Sequence, residues 1–308
     1  MMLDHLNHHP KLYGFGIETY ILPHYLAVEH RYGDLNDDNN FERLWKDMCA
    51  EYPFRMANGG QPVDPPEDWK AARRSATGVF DGILLEFARR EGKDRWCEKT
   101  PAYALHITRL ASEFPRSVFI HMVRDGRDCA ASNHRRWGRH PVASMVRWKN
   151  LVRNCRSQNR LLSGRYLEVR YEDVTTDPEK AMREVCGFVG VDFDKRLLSS
   201  TRKRPFNVGQ GSSKIVRNEG RYAKYFSDSK LRTLEKVGGK CLASLGYQTD
   251  HPEGDAEPSI FWRTCWTIHD AGRTGLRQIR NKLTVQRRMT WSLFVGRLKM
   301  IVRSKQTM

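Results

Sequence analysis

Three residues near the middle of the chain offer donors suited to a small, multiply charged anion: Arg124, Ser132 and Arg136. Arg124 follows a short apolar run, Ser117 to Val123, that reads as a strand buried on both faces. Open α/β sheets hold their ligands at the carboxyl ends of such strands. Ser132 and Arg136 are four residues apart and share a face if the next segment is helical. Two guanidinium forks and a hydroxyl suit a phosphate monoester, because arginine provides bidentate donors that are always charged. On composition alone, a surface helix with a chance arginine and an interior serine has the same pattern.

The elements that must place these residues follow from local pattern. Arg124-Asp125-Gly126-Arg127-Asp128 reads as a turn whose last aspartate caps the helix after it. A long helix is expected through Met145–Leu162 and a second strand over Arg165–Tyr171. Strand, helix and strand at this spacing imply a parallel sheet with helices outside it. Upstream, Trp69 to Arg90 reads as a helix with Phe80, Ile83, Leu84 and Phe87 on one face, and a helical stretch is expected near Phe41–Glu51. The opening residues read as the last turns of an amphipathic helix stopped by Pro10. A Gly-rich turn at Gly14-Phe15-Gly16 and a helix from about Thr19 follow.

With 308 residues, 39% hydrophobic and 10% aromatic, the chain is globular and large enough for a sizeable core. The net charge of +17 first suggests nucleic acid. Its distribution disfavours that partner: Ser259–Met308 holds 11 Lys and Arg against one acid, Asp270, leaving a modest +7 upstream. Residues 250–258 read as an acidic Pro/Gly linker, so the expected division is a domain over 1–250 and a linker plus basic helical tail over 251–308. In the tail, Leu276, Ile279 and Leu283, then Trp291, Phe294, Leu298 and Ile301, fall at helical spacing among Lys and Arg. Such a stripe either packs on the domain or lies on an anionic membrane or acidic partner. The seven cysteines form no CxxC pair, which excludes zinc-ribbon and redox-motif readings and fits reduced thiols in the cytoplasm. No charged-then-apolar leader is visible, and Arg297 and Lys299 interrupt the apolar run Trp291–Val302, which rules out a spanning helix there.

Several segments together resemble one family. Val123-Arg124-Asp125-Gly126-Arg127-Asp128-x3-Ser132 is similar to the 3′-phosphate-binding motif of the PAPS-dependent sulfotransferases. Trp96-Cys97-Glu98-Lys99-Thr100-Pro101 resembles the Lys-x-Pro segment of the branch that includes the tyrosylprotein sulfotransferases. His9-Pro10-x5-Gly16-Ile17-Glu18-Thr19 resembles the segment with that branch's catalytic glutamate, and Arg165–Val174 and Leu245-Gly246-Tyr247 match further landmarks. The resemblance covers roughly residues 1–250 and implies a P-loop-like three-layer α/β/α sandwich with a parallel sheet. It implies sulfuryl transfer, without a metal, from 3′-phosphoadenylyl sulfate (PAPS) to a hydroxyl on a peptide tyrosine, a carbohydrate or a small molecule.

Carried over residue by residue, the resemblance gives Arg124, Ser132 and Arg136 to the 3′-phosphate and places Tyr171 near the adenosine. Ser213, in the Gly209–Ser213 loop, and Lys224 would touch the phosphates. Glycines let backbone N–H groups approach an anion, although an ordinary exposed loop has the same composition. Glu18 would be the general base and Lys99 would neutralise charge on the bridging oxygen. Considered singly, Glu18 is equally a helix-start acid favoured by the macrodipole, and Lys99 a solvated lysine. His134 is a rival base, disfavoured by its place inside the 3′-phosphate helix. Two departures stand out. The branch pairs a cysteine at the position of Cys97 with one at the position of Phe15, so no disulfide is expected there. No G-x-x-x-x-G-K-[ST] or Pro-Arg-Ser-Gly-Thr type loop occurs, so the expected fold lacks its first strand and 5′-phosphosulfate loop. The alternatives are a catalytically impaired nucleotide binder, or a basic protein acting on membrane or nucleic acid through its tail.

Overall fold

The computed structural model describes residues 1–199 and 219–285, with side chains to residue 273. The chain divides into two compact units, one built on Met1–Ser117 with the segment from Met182, the other on Val118–Ala181 with the segment from Val216.

The first unit opens with helix α1 (Met2–Leu6), strand β1 (Leu12–Phe15) and helices α2 (Leu22–Val28), α3 (Asp38–Cys49), α4 (Tyr52–Ala57) and α5 (Ala76–Arg90). Strand β2 (Arg95–Glu98), a 3₁₀ turn over Pro101–Leu105 and helix α6 (Ile107–Glu113) follow. The expected turn at Gly14-Phe15-Gly16 is instead the end of a strand: β1 pairs in parallel with β2 from Leu12↔Arg95 to Phe15↔Glu98. Gly14 serves close approach here. A Cβ at that position would meet the Leu3 backbone oxygen at 2.9 Å, so glycine lets α1 lie against the strand. The expected helix from Trp69 starts only at Ala76, because Ser75 is extended and its hydroxyl accepts from Gly78 N–H as an N-cap. Likewise the helix expected from Thr19 begins at Leu22. Phe15, Phe54, Phe80 and Phe87 form an aromatic core, with Phe15 ring centroids 5.6 Å from Phe54 and 5.5 Å from Phe87.

The second unit holds strand β3 (Phe119–Val123), helices α7 (Gly126–Trp137) and α8 (Pro141–Asn159), strand β4 (Tyr166–Arg170) and helix α9 (Tyr171–Thr176). Helix α10 (Pro178–Val189) leads out of it, and α11 (Tyr222–Tyr225), α12 (Asp228–Ser244) and α13 (Ile260–Val285) complete the described chain. Strands β3 and β4 pair in parallel from Phe119↔Tyr166 to Val123↔Arg170, joined by the helical connection that the apolar runs predict. Among the described residues β3 has one partner strand, and Phe119–Met122 are only half-buried, where the sequence suggested burial on both faces. Val123, Met145, Val152, Leu234, Leu242 and Tyr247 form the core of this unit. Gly126 is a second close approach: a Cβ there would lie 2.6 Å from the Trp148 ring.

The acidic stretch after Tyr247 is pinned to α8. Lys149, fully buried, donates to Asp255 at 3.1 Å and to Glu257 at 2.6 Å, and Arg153 pairs with Asp255 at 2.5 Å. Beyond it, α13 turns Trp266 and Asp270 inward, the Trp266 ring stacking on His140 at 4.9 Å. Ile260, Phe261, Trp262 and Ile268 point to solvent. Leu276, Ile279 and Leu283 fall beyond the described side chains, and Trp291, Phe294, Leu298 and Ile301 lie outside the described residues.

Candidate functional site

In the first unit, parallel pairing of β1 with β2 brings two loops to one end of the sheet. Glu18 lies three residues past β1, and Lys99 directly follows β2. Both are therefore at the carboxyl ends of parallel strands, where backbone leaves the sheet and side chains can turn toward a ligand. They meet: Lys99 Nζ donates to Glu18 Oε1, with 55% of the lysine and 35% of the glutamate side chain exposed. Tyr20 hydroxyl donates to the other oxygen, Oε2. Glu18 is therefore a loop carboxylate held by two donors, not a helix-start acid. Tyr20 has a φ of 56°, the left-handed region that bulky residues seldom enter and that recurs at functional sites.

Behind this pair is a knot of buried hydroxyls. Glu98 Oε1 accepts from Thr19 Oγ1 at 3.0 Å and from Thr100 Oγ1, while Thr19 N–H donates to Thr100 Oγ1 at 2.8 Å. Tyr103 hydroxyl shares a 2.7 Å hydrogen bond with Thr19 Oγ1 and accepts from Leu22 N–H at 3.2 Å. Burial pushes the Glu98 carboxyl up to about 7, against the lowering effect of its hydrogen bonds from Thr100 and Thr19. Burial likewise pushes the Cys97 thiol up to about 11, so it stays protonated. Phe15, in register beside it at Glu98, is a core residue.

In the second unit the same rule operates on another strand pair. Arg124 directly follows β3 and Tyr171 directly follows β4, and the Arg124 guanidinium stacks 4.6 Å over the Tyr171 ring. Arg124 also reaches Asp128 at 3.3 Å, and its backbone oxygen accepts from Trp148 Nε1 at 3.0 Å. Ser132 is half-buried on α7. Arg136 is exposed in the last turn of that helix, its guanidinium 5.5 Å from the Trp137 ring. The ten helical steps from Gly126 to Arg136 span about 15 Å, so Arg136 is carried well along the axis from the turn that holds Arg124. Lys224 is exposed on α11, which is fixed to α7 where Tyr222 N–H donates to Asp128 at 2.9 Å. His134 Nδ1 is engaged with the Arg139 backbone oxygen at 2.9 Å. Ser213 lies outside the described residues.

The turn itself is built differently from the expectation. Asp125, not Asp128, caps α7 by accepting from Arg127 N–H at 2.8 Å. Asp128 lies within the first turn of the helix, where its carboxylate serves Arg124 and Tyr222 instead. Arg127 points into the protein, pairing with Asp125 at 2.7 Å and Glu235 at 2.5 Å under the Tyr222 ring. Glu172 completes the frame, accepting from Asp125 N–H at 3.1 Å and from Tyr247 hydroxyl at 2.7 Å. Tyr171 binds the arginine while its neighbour Glu172 ties down the arginine's turn.

The sequence pattern of the Sulfotransferase family matches residues 1–195. The chain belongs to that family. Among relatives, it is 28% identical over 174 residues to protein-tyrosine sulfotransferase 1 of Danio rerio, an alignment covering 53% of this chain and 47% of that protein. It is 24% identical over 236 residues to carbohydrate sulfotransferase 5 of Mus musculus, covering 69% of this chain and 55% of the relative. The chain thus spans about half the length of these two relatives. The sulfotransferase domain of the Synechococcus PCC 7002 olefin synthase superposes with a TM-score of 0.53 at 21% identity, over 80% of this chain and 90% of that domain. The sulfotransferase domain from the curacin biosynthetic pathway gives 0.51 at 17% identity, over 80% and 93%. These likenesses establish a shared sulfotransferase fold, in agreement with parallel strands flanked by helices. Glu98, Asp125, Arg127 and Glu172, which hold the loops of the candidate residues, are ones to which sequence reasoning gave no such part. Glu98, Asp125 and Glu172 each stand next to a candidate residue, Lys99, Arg124 and Tyr171, and Arg127 stands three positions from Arg124, which was the one signal available for them.

Proposed function

We propose that this chain transfers a sulfuryl group from PAPS to a hydroxyl acceptor, and that Glu18, Lys99, Arg124 and Tyr171 are central to the reaction. The observation that carries this reading is the Glu18–Lys99 pair at the shared carboxyl end of β1 and β2. Glu18 Oε takes the acceptor's proton as the acceptor's hydroxyl oxygen forms its bond to sulfur, and the bond from sulfur to the donor's phosphate oxygen breaks. Lys99 turns its ammonium toward that departing oxygen, where negative charge grows. Arg124 holds the donor's 3′-phosphate and Tyr171 flanks the adenosine. A guanidinium beside an aromatic face at strand ends is chemistry fitted to a nucleotide phosphate. Ser132, Arg136, Ser213 and Lys224 are proposed as further phosphate contacts. The acceptor class, peptide tyrosine or carbohydrate hydroxyl, follows the names of the relatives.

The test is direct. Adenosine 3′,5′-bisphosphate, the product, is expected to raise the melting temperature of the wild-type chain, and Arg124→Ala to abolish the rise. Glu18→Gln should keep the rise and lower kcat by roughly 10²–10⁴-fold. No rise at saturating product would overturn the reading. A rise without sulfuryl transfer would assign the chain instead to nucleotide binding without catalysis. A second reading, attachment to an anionic membrane surface, is favoured by the outward-facing Ile260 and Phe261, 82% and 66% exposed, at the start of the basic tail.

A further inference from the structure

Glu18 and Lys99 come from different loops, and an exposed ion pair alone holds two long side chains weakly. Their backbones are held by something firmer. Thr19, directly after Glu18, and Thr100, directly after Lys99, are both buried, and both hydroxyls donate to the same carboxylate oxygen, that of Glu98. Tyr103 closes the group from the 3₁₀ turn. The directions of the hydrogen bonds are consistent throughout. Leu22 N–H donates to Tyr103, Thr19 N–H to Thr100, and the two threonine hydroxyls to Glu98, which leaves Tyr103 to donate to Thr19 in the hydrogen bond the two hydroxyls share. A chain of donors that ends on one carboxyl oxygen is satisfied in either protonation state, because Oε1 accepts in both, and is strongest when Glu98 is ionised.

We propose that Glu98 is a positioning residue of the sulfuryl-transfer site, fixing the loops that bear Glu18 and Lys99 through the Thr19–Thr100 knot. The proposal deepens the sulfotransferase reading above and rests on it for the identity of the reacting groups. The charged groups around Glu98 are Lys99 beside it and, through Lys99, Glu18; Tyr103 is a neutral donor, its own hydroxyl pushed up by burial. Glu98 titrates near neutrality because of its burial. Above that pH its charge strengthens both threonine bonds; below it the knot keeps its shape with weaker, uncharged acceptors. The device would therefore tighten the Glu18–Lys99 placement as pH rises through about 7.

The experiment compares wild type, Glu98→Gln and Thr100→Val, each checked for an unchanged melting profile within the described fold. The first readout needs no substrate: the rate at which an amine-acylating reagent labels Lys99, followed by peptide mass spectrometry. At pH 8 labelling in Glu98→Gln should exceed wild type by roughly threefold, and at pH 6 the two should converge, since wild-type Glu98 is then also uncharged. Thr100→Val should label fast at both pH values. The second readout is turnover of PAPS with a tyrosine-containing peptide. Glu98→Gln should lower kcat by about tenfold with KM for PAPS unchanged, and should remove the acid limb near neutral pH. Equal Lys99 labelling in wild type and Glu98→Gln at pH 8 overturns the proposal. Absent turnover in wild type overturns the sulfuryl-transfer reading instead, and full turnover in Glu18→Gln overturns Glu18 as its base; in both cases the labelling result still decides the role of Glu98.

Discussion

Two arginines three residues apart have opposite jobs. Arg124 sits at the ligand end of a strand with 23% of its side chain exposed, whereas Arg127 is buried and paired with two buried carboxylates, Asp125 and Glu235. Removing a buried cation leaves its partners charged and unmatched, which costs about 3–5 kcal/mol, while removing a partly exposed one costs far less. Arg127→Leu is therefore expected to lower unfolding stability in urea by about 3–5 kcal/mol. Arg124→Leu should unfold near the wild-type midpoint and lose response to the bisphosphate product. Equal midpoints for the two variants would contradict this division. The motif Arg-Asp-Gly-Arg-Asp pointed to Arg124 from sequence because a family pattern marks it. Nothing in the spacing distinguishes Arg127, whose role depends on Glu235, more than a hundred residues away.

At the scale of elements, helix α13 is attached to its unit by a few contacts. Asp270 accepts from His140 N–H at 2.9 Å and from Arg147 at 2.6 Å, and Trp266 stacks on His140. Burial works against the Asp270 carboxylate, but the bonds from His140, Arg147 and His269 outweigh it and hold its pKa below the ordinary carboxylate value. Its contribution is therefore present above the unfolded carboxylate range and is lost as pH falls through the lowered folded value. Asp270→Asn should increase hydrogen exchange over residues 260–273 by roughly tenfold at pH 7 and leave α8 and α12 protected. Unchanged protection over 260–273 would show that Trp266 alone suffices. Elements also show where sequence pattern carried the fold and where it stopped. Strands β3 and β4 were legible because Ser117–Val123 is a largely apolar run and Arg165–Tyr171 alternates charged residues with aliphatic and aromatic ones, both of strand length. Strands β1 and β2 were not: each has four residues, one interrupted by Gly14 and the other beginning and ending with charge at Arg95 and Glu98. Pairing across some eighty residues, not local propensity, makes them strands, and that pairing is what brings Glu18 to Lys99.

For the whole molecule, charge is the property that composition states most clearly and locates least. Of the net +17, about +10 belongs to residues 259–308, and the one acid there, Asp270, is buried and engaged. Among the described side chains of that segment the exposed basic residues are Arg263 and Arg273, next to exposed Ile260, Phe261, Trp262 and Ile268. No helix among the described residues is long and apolar enough to cross a membrane. The full chain is expected to sediment with vesicles containing phosphatidylserine and to be released by about 0.5 M salt, since screening weakens exposed charge pairs. Phe261→Ser with Ile268→Ser should reduce binding several-fold. Equal binding to neutral vesicles, or binding indifferent to both substitutions, would exclude an electrostatic and apolar surface attachment.

Parallel register has a further consequence for how this site can change. Phe15 stands opposite Glu98 and Val123 opposite Arg170, so each candidate pair is indexed by a fixed count of residues from a matched rung. A residue inserted in the loop between Phe15 and Glu18 would merely lengthen a tether. The same insertion within Leu12–Phe15 would advance the loop by about 3.3 Å and turn its side chains to the opposite face. A change in loop length therefore leaves the rungs in place, whereas a frame change inside either strand pair separates the paired candidate residues in one step.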